Sequence, residues 1–217
     1  MKAHYLVGCP SCIKVMLAAE ALDMKLDYII YTNIPDLKAG VKDLNPKGQV
    51  PVLETPEGPL YESEAINRYI ALQKPELGLA GKNTYDTALI DQWLANLTAL
   101  YKGFIIQHLT VIGRWEKTAE EIKEKNEELH KALQLVEDRL SENNGRKYLI
   151  SDYLTLADIS LVTYLFYIYT YQFDEKKREQ FPNVTRYYLD HSSRRYFTQS
   201  FGRKRIPGKP FEINLCD

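Results

Sequence analysis

Asn45-Pro46-Lys47-Gly48-Gln49-Val50-Pro51-Val52-Leu53-Glu54-Thr55-Pro56-Glu57-Gly58-Pro59-Leu60-Tyr61-Glu62-Ser63 is the stretch on which the reading of this chain turns. Asn45-Pro46 closes whatever precedes it, because a proline cannot continue a helix and disfavours one in the residue before it. Pro51 to Glu54 and Pro59 to Glu62 are short extended runs, and the Thr55-Pro56-Glu57-Gly58 between them is made of residues that favour a turn, so the pair predicts a hairpin. Ser63 then stands where an N-cap belongs, ahead of Ala65, Ile66, Tyr69 and Ile70 at helical spacing.

Outward from that hairpin the chain divides in two. Upstream, residues 2 to 7 read as a strand stopped by Gly8, and Cys9-Pro10-Ser11-Cys12 opens a helical run carrying Ile13, Met16, Leu17 and Ala21. Leu26, Tyr28 and Ile30 mark a second strand, and Asp36 to Leu44 a weak helix. The order is βαβ followed by αββα. From about residue 84 the strand signals vanish. Leu89, Trp93, Leu97, Leu100, Tyr101, Phe104 and Ile105 form a long stripe at helical spacing. Thr118 to Ser141 repeats Ile122, Leu129, Leu133, Val136 and Leu140 among Glu and Lys, and Asn143-Asn144-Gly145 supplies residues that tolerate a left-handed C-cap. Thr155-Leu156-Ala157-Asp158 has the spacing of a capping box, and the nearly all-apolar Ile159 to Tyr169 after it predicts a buried helix. The expected organisation is an α/β domain at 1–75, a linker near Pro75 to Asn83, an all-α domain at 84–205 and a tail at 206–217.

Composition sets the outer bounds. The chain has 217 residues, and a content of 45% hydrophobic with 12% aromatic residues is ample for a packed core. Its 28 basic and 29 acidic residues nearly cancel, so the charge balance does not point to direct binding of nucleic acid or of an acidic membrane surface. No run approaches the roughly 20 consecutive apolar residues of a membrane helix, and Met1-Lys2-Ala3-His4-Tyr5 enters a strand without a signal-peptide pattern, so the expected location is cytoplasmic. Three cysteines in a chain of this length are no disulfide scaffold. Cys216 lies in the tail, which leaves Cys9 and Cys12 as the informative pair.

The Asn45 to Ser63 stretch resembles the glutathione-transferase superfamily, whose first domain is thioredoxin-like and whose second is all-helical. With Ala65-Ile66-Asn67-Arg68-Tyr69 it is similar, more narrowly, to the transferase-like N-terminal domain of the gamma subunit of eukaryotic elongation factor 1. Ile90-Asp91-Gln92-Trp93, Thr155-Leu156-Ala157-Asp158-Ile159 and Phe181-Pro182-Asn183-Val184-Thr185-Arg186-Tyr187-Tyr188 agree with it. The resemblance spans about residues 3 to 200. That gamma subunit carries a further C-terminal domain, to which nothing in this sequence corresponds.

The resemblance implies a glutathione site, and the residues can carry one. The Val50-Pro51 step is a place for a cis peptide, although X-Pro bonds in general favour trans. In the family the cis bond turns Val50 outward, so that its N–H and C=O pair with the backbone of glutathione like an added strand. Ser63 offers a hydroxyl and free helix N-terminal N–H groups to a carboxylate. Glu62 can face the ammonium of the ligand, and Gln49 its peptide. A lone Glu-Ser pair is more often a solvated strand end and a helix cap, but its spacing from Val50-Pro51 favours the ligand site.

Two residues compete for the chemistry. Cys9 opens a helix, where the dipole and free N–H groups favour a thiolate, and Cys9-Pro10-Ser11-Cys12 is similar to the glutaredoxin dithiol motif, in which Cys12 resolves a mixed disulfide. Ser11 instead resembles the hydroxyl that holds the thiolate of glutathione in conjugating classes. Packing alone accounts for the pair about equally well. Tyr5 lies inside a strand. His4, His108, His130 and His191 are scattered, and a lone Cys-X-X-Cys is half a zinc site, so no metal is expected. Trp93 and Trp115 sit on helical stripes. Arg194-Arg195, Arg203-Lys204-Arg205 and Lys209 read as a solvated basic end. Two functions follow: a scaffold subunit that retains the glutathione site and assembles as a homodimer or with translation elongation factors, which the sequence match favours, or a glutathione transferase or thiol transferase using Cys9.

Overall fold

The structure, a computed structural model, describes residues 1–111 and 116–201. Trp115, Arg203, Lys204, Arg205, Lys209, Cys216 and the 206–217 tail lie outside the described residues. The first part is β1 (Lys2–Leu6), α1 (Pro10–Ala21), β2 (Asp27–Tyr31), α2 (Ile34–Val41), β3 (Val52–Thr55), β4 (Gly58–Tyr61) and α3 (Ser63–Leu72). The sheet order is β2-β1-β3-β4, with β1 parallel to β2 and antiparallel to β3, and β3 antiparallel to β4. Alternation along the strands divides the residues between the two faces. Ala3 and Leu53 join the main core with Ile13, Leu17, Ile66 and Ile70 of α1 and α3. Leu6 and Val52 point the other way, to Leu37 and Val41 of α2.

Two local readings are corrected. The helix expected over Asp36 to Leu44 runs Ile34–Val41 instead. Asn33 caps it by accepting from the Asp36 N–H at 2.9 Å, and Pro35 fits the first turn, where its missing N–H costs nothing. Leu44 and Asn45 then donate to the Val41 carbonyl as turns. The cap of α3 is Glu62, at a left-handed φ of 70°, so Ser63 is the first helical residue and not the cap. The period-two pattern ends one residue earlier than the hydroxyl suggested, because the backbone has to reverse at Glu62 to leave the hairpin.

The rest is helical: α4 (Thr84–Val111), α5 (Ala119–Ser141), α6 (Leu156–Tyr171), α7 (Glu175–Gln180), α8 (Pro182–Ser192) and α9 (Arg195–Phe201). Thr118 and Glu121 form a reciprocal capping box for α5. The C-terminal turn expected of Asn143 and Gly145 is there, with φ values of 52° and 96°. α4 and α5 touch at Gly103, where a Cβ would stand 2.7 Å from that of Leu129. α6 is buried from Leu156 to Tyr169, as its composition required.

Asp158 explains how so apolar a helix is anchored. Its fully buried carboxylate accepts the Thr155 N–H and hydroxyl, each at 2.8 Å, and the Leu149 N–H and Tyr187 hydroxyl, each at 2.7 Å. Four donors offset the desolvation of one charge. A single apolar cluster runs from Ala3 of the sheet to Phe197 of α9, so the two parts share a core. No described helix is long and apolar enough to cross a membrane.

Candidate active site

The N-terminus of α1 faces the helical part of the chain. Gly8, at a φ of 77°, turns the backbone out of β1, and Pro10 starts the helix with Cys9 as its cap residue. Cys9 is half-buried and Cys12 is buried, and both are free thiols. The Cys12 thiol, as hydrogen-bond partner, holds Cys9 down to about 7 from 9.0 against the opposing effect of burial, with help from the backbone at Cys12 and Ser11 and from the charge of Lys14. Burial pushes Cys12 well above the ordinary thiol value. The two sulfurs are thus set apart in ionisation, Cys9 toward the thiolate and Cys12 toward the thiol.

Around them stand side chains that neither motif nor spacing singled out. Lys14, only 2% exposed, donates to the Tyr164 hydroxyl of α6 at 3.2 Å and pairs with Glu64 of α3. Burial lowers its pKa, but the nearby Tyr164 and Glu64 outweigh this and raise it on balance, so the ammonium stays charged. The Tyr167 hydroxyl of α6 donates to the Gly8 carbonyl at 2.8 Å. Tyr101 of α4 packs on Tyr164 with ring centres 5.7 Å apart. Its pKa is raised by burial and by Cys9, while Ser11 works to lower it, which puts its hydroxyl beside the start of α1. Tyr167 stacks on Phe104 at 5.3 Å. A wall of tyrosines from α4 and α6 therefore faces Cys9 and Ser11. Tyr5, half-buried in β1, packs edge-on against Tyr28. The one sequence signal was Lys14, a cation inside an otherwise apolar helical stripe.

The second half of the site lies along the hairpin. Val50-Pro51 is cis, with Pro51 buried and Val50 half-buried. The loop before it is held by the Asn45 side chain, which donates to the Gln49 carbonyl at 2.8 Å and accepts from the Lys47 N–H at 3.0 Å. The Gln49 side chain is exposed. Ser63 is half-buried at the N-terminus of α3, and the cap residue Glu62 makes no side-chain bond to that terminus, which leaves its dipole and first N–H groups without that partner. Glu62 is exposed and takes Lys47 as its partner at 2.6 Å. This is a cationic group where the sequence reading placed an ammonium. The exposed Glu62 carboxylate, the helix start at Ser63 and the cis Val50-Pro51 step lie within fourteen residues of one another in sequence, on either side of the β3–β4 hairpin. Among the described residues no group of His, Cys, Asp and Glu is arranged to hold a metal ion.

Comparison with known proteins identifies the two parts of the fold. Residues 8–73 match the glutathione S-transferase N-terminal domain family, and residues 95–194 the C-terminal domain family. A glutathione S-transferase-like protein of Aspergillus aculeatus is 31% identical over 148 residues, 66% of this chain and 69% of that protein. An elongation factor 1-gamma of Prunus avium is 31% identical over 193 residues, 82% of this chain but 42% of that protein. The chain thus spans less than half the length of this relative, and a probable elongation factor 1-gamma of Arabidopsis thaliana is matched over 48% of its length. Among solved structures, a glutathione S-transferase of Methylobacillus flagellatus with GSH bound superposes with a TM-score of 0.79 at 24% identity, covering 92% of this chain and 98% of that one. At that identity the likeness speaks for the fold alone.

Proposed function

The chain belongs to the glutathione S-transferase family, and from that premise we propose that it binds glutathione across the cis Val50-Pro51 step and uses Cys9 as a thiol-transfer nucleophile. The observation that carries this reading is a half-buried cysteine at the N-cap position of α1 whose thiol the buried Cys12 thiol draws down to about 7, in the same part of the chain as a helix start at Ser63 whose cap residue makes no side-chain bond. The γ-glutamyl carboxylate goes to Ser63 and the α3 N-terminus, the ammonium to Glu62 in place of Lys47, and the peptide to Val50 and Gln49. The Cys9 thiolate attacks the glutathione sulfur of a mixed disulfide. The S–S bond breaks, the departing thiolate takes a proton from water, and a Cys9–glutathione disulfide remains. A second glutathione thiolate then attacks that disulfide, releasing glutathione disulfide and the Cys9 thiolate. Cys12, held protonated by burial, is poorly suited to attack, so a monothiol route is favoured. The test is the reduction of a glutathionylated peptide. Cys9→Ser abolishes it, Cys12→Ser largely spares it, and Ser11→Ala impairs only conjugation. Wild-type protein no faster than the uncatalysed reaction overturns the reading.

A second reading is favoured by the elongation factor 1-gamma relatives. In it the chain is a cytoplasmic scaffold, a homodimer or a subunit of an assembly with translation elongation factors, and the glutathione site is retained without turnover. Gentle lysis and capture on immobilised glutathione separates the two readings by what co-purifies in stoichiometric amount.

A further inference from the structure

The turn that delivers Cys9 is weakly held by its own residues. A Cβ at Gly8 would meet nothing within 4 Å, so packing does not fix the turn, and the φ of 77° is a region glycine enters freely. What fixes it is the peptide unit joining Gly8 to Cys9, which is anchored at both ends. Its N–H, from Cys9, donates to the Leu6 carbonyl at 3.1 Å, within the first part of the chain. Its C=O, from Gly8, accepts the Tyr167 hydroxyl at 2.8 Å, and that bond comes from the buried face of α6, 159 residues away in sequence.

We infer that Tyr167 is a positioning residue for Cys9: by latching the Gly8 carbonyl it fixes the peptide plane from which the thiol projects, and so couples the reactivity of the first part of the chain to the helical part. The inference rests on the proposed role of Cys9 and extends it. Tyr164, three residues earlier on the same face of α6, meets α1 at Lys14 instead, two residues past the motif. Of the two hydroxyls, that of Tyr164 meets a side chain inside α1, and that of Tyr167 meets the backbone that leads into the nucleophile. Burial holds the Tyr167 hydroxyl well above the range in which it ionises, so it is a donor throughout the working pH range and does not itself titrate there. The titratable groups around Cys9 are Cys12 and Lys14 of α1, Tyr5 of β1, Tyr101 of α4 and Tyr164 and Tyr167 of α6, with Glu64 of α3 acting through Lys14. Cys12, Lys14, Tyr101, Tyr164 and Tyr167 are all pushed upward, whereas Cys9 is drawn down to about 7, so the Cys9 adduct followed between pH 5.5 and 8.5 reports on the Cys9 thiol.

The experiment compares full-length wild-type protein with Tyr167→Phe and Tyr164→Phe. Tyr167→Phe should lower kcat for the glutathionylated peptide by about 10- to 100-fold, the scale of a misplacement of about 1 Å, while KM for glutathione stays within about 2-fold. Its Cys9 alkylation midpoint should rise by at least about half a pH unit as the helix N-terminus and the Cys12 thiol lose alignment with the sulfur. Tyr164→Phe, which reaches Cys9 only through Lys14, should move that midpoint by clearly less than Tyr167→Phe does. Wild-type kcat and midpoint in Tyr167→Phe, or equal shifts in both variants, overturn the inference. If wild-type protein has no exchange activity the thiol-transfer reading falls, and the alkylation midpoints still judge the latch. Should Tyr167→Phe not fold, proton NMR of the wild-type protein decides: a slowly exchanging Tyr167 hydroxyl proton with a nuclear Overhauser contact to the Gly8 or Cys9 backbone supports the latch, and a Tyr167 hydroxyl proton in fast exchange with water overturns it.

Discussion

Titrating Cys9 by alkylation tests the chemistry of the site at its source. Its pKa, drawn down from 9.0 to about 7, amounts to a roughly hundred-fold gain in thiolate at pH 6 over the same cysteine in unfolded chain. Lower basicity also lowers intrinsic nucleophilicity. With a Brønsted coefficient of about 0.4–0.5, two pH units cost about 6- to 10-fold, so a net acceleration of about 10-fold at pH 6 is expected. The assay is pseudo-first-order alkylation from pH 5.5 to 9.5, with the Cys9 adduct read by peptide mass spectrometry and the urea-unfolded chain as reference. Because the folded pKa is the lower one, Cys9 stabilises the fold fully above the unfolded value near 9, and that contribution is lost as pH falls through about 7. Replacing Cys9 with Ser should therefore flatten the rise in stability between those pH values. The Cys12 thiol is the main cause of the shift, so Cys12→Ala should move the midpoint upward. A folded protein with a Cys9 midpoint near 9, or one that Cys12→Ala leaves at 7, refutes the reasoning.

Three further outcomes are expected. Ser63→Ala should weaken glutathione binding by about 1–3 kcal/mol in titration calorimetry, since a carboxylate loses a charge-assisted hydrogen bond, and unchanged binding removes Ser63 from the site. Asp158→Ala strands the Thr155 and Leu149 N–H groups and the Tyr187 hydroxyl in the core, and should cost about 3–5 kcal/mol in urea denaturation; a loss below about 1 kcal/mol means that water replaces the carboxylate. Gly103→Ala, with its Cβ 2.7 Å from that of Leu129, must push α4 from α5 and should cost about 1–3 kcal/mol, read as a lower urea midpoint at constant slope.

The fold was legible wherever local chemistry had one solution. The Thr55-Pro56-Glu57-Gly58 turn, Thr155 and Asp158 at capping-box spacing, and the apolar run from Ile159 to Tyr169 each say the same thing in isolation as in the folded chain, because turns, caps and buried faces are set by neighbours within a few residues. Ser63 shows the limit. A hydroxyl before an apolar run reads as a cap, yet the backbone reversal at Glu62 moved the cap by one residue, and no local pattern records that geometry. The same holds for the site. Cys9, Ser11, Cys12, Gln49, Val50, Pro51, Glu62 and Ser63 were candidates from sequence because each belongs to a short motif that carries the resemblance to glutathione transferases or glutaredoxins. Glu64, Tyr101, Tyr164 and Tyr167 were invisible, and Lys14 showed only as a cation in an apolar stripe, since up to 159 residues separate the partners in sequence and a tyrosine in an apolar helix looks like core until its hydroxyl finds a carbonyl across the interface. The sequence by itself thus determined which thiol opens the first helix and, to within one residue, where the helix after the hairpin begins. Only the tertiary structure decided what faces that thiol, because burial, Cys12 and the tyrosine wall set its ionisation and orientation through space rather than along the chain.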